Sequence, residues 1–61
     1  MKNEKMVRRE LGRVVKEIKR VQEELRYASD HYEKVALKLE FRELKHEYLY
    51  YKEALQEAQA I

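Results

Sequence analysis

The stretch Leu37–Ala58, LKLEFRELKHEYLYYKEALQEA, decides how this chain is read. Its apolar residues Leu37, Phe41, Leu44, Tyr48, Tyr51, Leu55 and Ala58 recur at spacings of four, three, four, three, four and three. That repeat predicts a helix lying side by side with another helix. Working outward toward the N-terminus, Val7, Leu11, Val14, Ile18, Val21 and Leu25 form a second seam with the same alternation. It predicts a first helix over residues 4–28.

The two seams are out of phase. Carried on through Ala28, Tyr32, Val35 and Leu39, the first seam would next fall on Arg42, whereas Phe41 and Leu44 carry the second. The offset is two residues, or roughly 200° around a helix. Heptad helices absorb insertions of three or four residues, which only drift the stripe. An offset of two moves it to nearly the opposite face, so the chain is expected to fold back between the seams. Ser29 and Asp30 are favoured N-cap residues, and Asp30 with Glu33 has capping-box spacing. The fold expected is all-α: a two-helix antiparallel hairpin over residues 4–28 and 31–60, with Asn3 a candidate cap for the first helix. Residues 1–61 then form a single helical-hairpin domain. The competing architecture is one long helix in a parallel coiled-coil dimer. The first seam's unbroken phase as far as Leu39 and the lack of Gly or Pro near the break speak for it.

Composition narrows the routes to stability. At 61 residues the chain is short for a self-sufficient core. It has no Cys, which excludes disulfides and Cys-based metal staples. Idealised helix packing and self-association remain. No Pro and a single Gly leave little material for strands or tight turns. Gly12 lies off the seam, where it should cost about 1 kcal/mol relative to Ala. No apolar run is long enough for a transmembrane helix or a signal-peptide core, so a cytoplasmic setting is expected.

The second helix is apolar on two sides. Beyond its seam, Val35, Leu39, Leu49 and Tyr50 form a further strip. A helix with two apolar faces is covered twice, once by its hairpin mate and once by something else. A second copy is the simplest cover, giving a homodimer that closes a four-helix bundle. An unidentified protein partner is the other candidate. Tyr is favoured at such surfaces because it buries a ring while its hydroxyl stays wet. The expected function is therefore that of a small non-enzymatic protein–protein interaction module, structural or regulatory, acting through helix-face recognition and self-association.

Charge patterning adds a constraint on pairing. Glu33, Glu40 and Glu47 repeat on one shoulder of the second seam, and Lys38, Lys45 and Lys52 on the other. In a parallel pair each Glu would meet the Lys five positions later on its partner. In a plain antiparallel hairpin these glutamates would face Glu10, Glu17 and Glu24 of the first helix. Such exposed pairs are worth only about 0.3–0.5 kcal/mol each and cannot outvote apolar burial, so they do not fix the symmetry of the dimer.

Chemistry has few footholds. Lys2, Lys5, Arg9, Arg13, Lys16 and Arg20 recur at helical spacing along the outer side of helix one. This stripe supports an alternative function, a nucleic-acid-binding helical hairpin. No aromatic residue interleaves for stacking, and Glu10, Glu17 and Glu23 intrude nearby. Glu43 and His46 have the Glu-x-x-His spacing of carboxylate-bridged metal bundles, but Leu44 between them is on the seam and turns both away from the core. His31 is expected to be a turn residue. The only Ser is Ser29 and the only Asp is Asp30, so a nucleophilic triad lacks its parts. No catalytic residue, metal or cofactor is expected. Tyr32–Ala36 resembles a segment of the helical-hairpin interaction modules of excision-repair nuclease subunits. The resemblance covers five residues, the apolar residues after it run out of that module's phase, and nothing is carried over from it.

Overall fold

A computed structural model describes residues 4–59. It contains two helices, α1 over Glu4–Tyr27 and α2 over His31–Gln59, and no strand among the described residues. The chain is all-α, with the break at the cap residues Ser29 and Asp30, between the two seams. The expected ends at Ala28 and Ala60 become Tyr27 and Gln59; Asn3, the candidate cap, and Ala60 lie outside the described residues.

The connection is only Ala28, Ser29 and Asp30. No described residue has a positive φ, so this turn needs no glycine. The Asp30 carbonyl accepts the first hydrogen bond of α2 from the Lys34 N–H at 3.0 Å, which places Asp30 at the N-cap. Glu33 in the first turn of α2 and Arg26 in the last turn of α1 both complement the helix dipoles. Ala28 packs back against the core and ties the turn to the seams.

The described residues measure 47 × 14 × 13 Å. An unbroken helix of that many residues would run about 80 Å, so the two seams face each other within one chain. Val14, Val21, Leu37 and Leu44 form the centre, with Ile18, Leu25, Phe41, Tyr48 and Tyr51 packed against it. The valines Val7, Val14 and Val21 are 2, 0 and 0% exposed. Leu11, Ile18 and Leu25, at the other heptad position, are half-buried. Small β-branched residues thus occupy the closest approach, while the longer side chains spread toward its margins. Leu55 and Ala58 continue the second seam as half-buried residues.

Candidate interaction surfaces

The seam accounts for one side of each helix and leaves four surfaces: the outer faces of α1 and α2, and the two broad faces that α1 and α2 build together. On α2, a step of roughly 100° per residue sets Val35, Leu39 and Leu49 opposite Leu37 and Leu44, with Tyr50 beside them. All four are solvent-exposed: Val35 at 43%, Leu39 at 56%, Leu49 at 50% and Tyr50 at 54%. They fall into two apolar ends, Val35 with Leu39 and Leu49 with Tyr50. Arg42 and His46 occupy the turns between, both exposed. The dense Tyr48–Tyr51 patch is accordingly divided. Tyr48 and Tyr51 pack on the core, whereas Leu49 and Tyr50 point away from it. The Tyr50 and Tyr51 rings meet edge-on at 5.3 Å.

One broad face is built from paired charges. Arg20 bonds to Glu17 at 2.9 Å and Glu24 at 3.0 Å within α1, and reaches across the hairpin to Glu40. One heptad away, Arg13 bonds to Glu10 at 3.1 Å and approaches Glu47 of α2 at 3.6 Å. As α1 steps back from Arg20 to Arg13, α2 steps forward from Glu40 to Glu47, which is the register of an antiparallel pair. The three surrounding carboxylates, Glu17 first, hold the Arg20 guanidinium more firmly protonated than usual, and Glu10 does the same for Arg13.

This arrangement bears on two expectations. Glu40 and Glu47 do cross toward the acidic shoulder of α1, but they meet Arg20 and Arg13 rather than bare glutamates. Pairing with Lys45 and Lys52 of a parallel copy is therefore not needed to neutralise them. The basic stripe is also not uniform: Arg13 and Arg20 swing onto this face and are committed to carboxylates, while Arg9 and Lys16 are exposed. Lys5 is exposed as well, and Lys2 lies outside the described residues.

The other broad face carries an open groove. Val15, Ile18 and Gln22 of α1 and Phe41 and Tyr48 of α2 line it, with Lys19 and Lys45 among them. The sequence reading missed Val15. Its signal was present, since Leu11, Val15 and Ile18 are spaced four and three and widen the first apolar stripe on one side. Lys52, one heptad beyond Lys45, places its ammonium 5.9 Å from the Tyr48 ring centroid on the same shoulder.

The remaining chemical candidates are dispersed. Glu43 and His46 are both exposed, and among the described residues no three His, Asp or Glu side chains converge as a metal-ligating group. His31 is exposed at the start of α2, with its ring edge-on to Tyr32 at 5.7 Å. No described helix is long and apolar enough to cross a membrane. The chain matches no family model, no curated protein and no solved structure.

Proposed function

We propose that this protein is a small non-enzymatic helical interaction module that self-associates through the outer face of α2. The observation that carries this reading is the exposure of Val35, Leu39, Leu49 and Tyr50 on the side of α2 turned away from α1. The size of the core supports it. Among the described residues only Val7, Val14, Val21, Leu37 and Leu44 are buried, which is a small core for an independent fold.

Antiparallel pairing of two α2 helices fits the strip best. It sets Val35 and Leu39 of one copy against Leu49 and Tyr50 of the other, with Arg42 and His46 near the two-fold axis. Eight half-exposed side chains would gain roughly 6–12 kcal/mol from burial. Association itself costs about 4–15 kcal/mol. The two are similar in size, so the dimer is weak and concentration-dependent, in a cytoplasmic setting. Sedimentation equilibrium tests it. A mass that rises from one copy toward two with concentration supports the proposal, and a single-copy mass at high micromolar concentration refutes it.

The nucleic-acid alternative keeps less support. Arg13 and Arg20 are neutralised within the hairpin, which removes two cations from the stripe. Duplex DNA binding that falls steeply with salt would restore that reading.

A further inference from the structure

The two broad faces of the hairpin differ in how their charges are used. On one, Arg13 and Arg20 are tied to glutamates of both helices. On the other, every charged side chain lining the groove is a lysine, and no Asp or Glu lines it. Neither Lys19 nor Lys45 makes an ion pair with a described residue. Lys38 and Lys52 repeat Lys45 one heptad either side and extend the cationic rim along α2. The floor between the rims is apolar, made of Val15, Ile18, Phe41 and Tyr48, all half-buried.

We infer that this groove is a docking site for an acidic amphipathic helix of another protein, one with an apolar stripe flanked by Asp and Glu. An apolar floor between two cationic rims matches that chemistry on both counts: the stripe is buried on Ile18 and Phe41, and the flanking carboxylates reach Lys19 and Lys45. A second copy is a poor occupant, because face-to-face packing would set lysine rims against lysine rims. Phosphate backbones would satisfy the rims but gain nothing from the floor. The site is separate from the outer face of α2, so self-association there neither supplies it nor depends on it.

The test uses the whole chain and a synthetic helical peptide of about five turns, with Leu at one-face spacing and Glu on both flanks. Amide shifts in a titration should saturate and centre on Val15, Ile18, Gln22, Phe41 and Tyr48. Lys19→Glu with Lys45→Glu should weaken binding by about tenfold or more through charge reversal. Lys19→Gln with Lys45→Gln should give a smaller loss at unchanged helicity. A peptide of the same composition with its Leu residues scrambled off one face should bind poorly. Absence of saturable binding overturns the proposal, as do shifts centred on Leu39 and Leu49, unchanged affinity in both lysine variants, or tighter binding of a DNA duplex than of the peptide. Sedimentation of the chain alone reads the α2 self-association independently, so failure of either proposal is recognisable.

Discussion

The two helices use their apolar residues differently. In α1 the valines at 7, 14 and 21 are buried to 2% exposure or less, and the side opposite them is charged. Once α2 covers that stripe, α1 keeps one large apolar residue largely exposed within it, Met6, besides Tyr27 at its end. In α2, Leu37 and Leu44 are buried, but Val35, Leu39, Leu49 and Tyr50 remain in water on the far side. One helix is satisfied by the hairpin and the other is not. An intramolecular fold needs one buried stripe per helix, so the second stripe is what the proposed self-association would cover.

The largest expected effect separates the two faces of α2. Leu44→Ala should destabilise the hairpin by about 2–5 kcal/mol in urea unfolding, because it removes a central buried side chain. Leu49→Ala should stay within about 0.5 kcal/mol at concentrations too low for self-association. Similar losses at the two positions would mean that the faces are not distinct.

A smaller effect of opposite sign is expected on α1. A Cβ built at Gly12 meets nothing within 4 Å, so the glycine serves no close approach and only weakens the helix. Gly12→Ala should therefore stabilise by about 0.5–1 kcal/mol in thermal or urea unfolding. A loss of stability would show that another chain comes close there, on the helix taken to be satisfied.

The smallest effect concerns an exposed ion pair in the first turns of α1. Glu4 is held below its usual pKa, first by the hydrogen bond from Arg8 and then by that residue's charge. A lowered folded-state pKa adds stability that is present above the unfolded value of about 4.5 and is lost as pH falls through the folded one. Glu4→Gln should flatten a slight fall in melting temperature below that value, and high salt should erase the difference because the pair is exposed. An unaltered pH profile in the variant would detach the pair from stability.

Much of the fold was legible because burial has a period. The two heptads located the helices, their two-residue offset called for a fold-back, and the cap residues Ser29 and Asp30 placed it, within a residue of the ends at Tyr27 and His31. The same periodicity identified Val35, Leu39, Leu49 and Tyr50 as lying off the seam. The charged faces were less legible for a physical reason. Which carboxylate Arg13 and Arg20 reach depends on the hairpin register, and exposed pairs worth a fraction of a kcal/mol leave weak marks on a sequence. The Val15 groove was missed because a heptad template assigns two positions and ignores a third beside them. Its lysine rim was legible as the row of Lys38, Lys45 and Lys52, but its place beside Ile18 and Phe41 required the register.

The exposed stripe of α2 is proposed as the self-association surface. Sedimentation equilibrium of the wild-type chain beside Leu39→Glu with Leu49→Glu tests it most directly, with helicity followed in both. A concentration-dependent rise toward two copies is expected for the wild type, and a helical single copy for the variant. A helical wild-type monomer at high micromolar concentration, or a variant that associates as the wild type does, would contradict it.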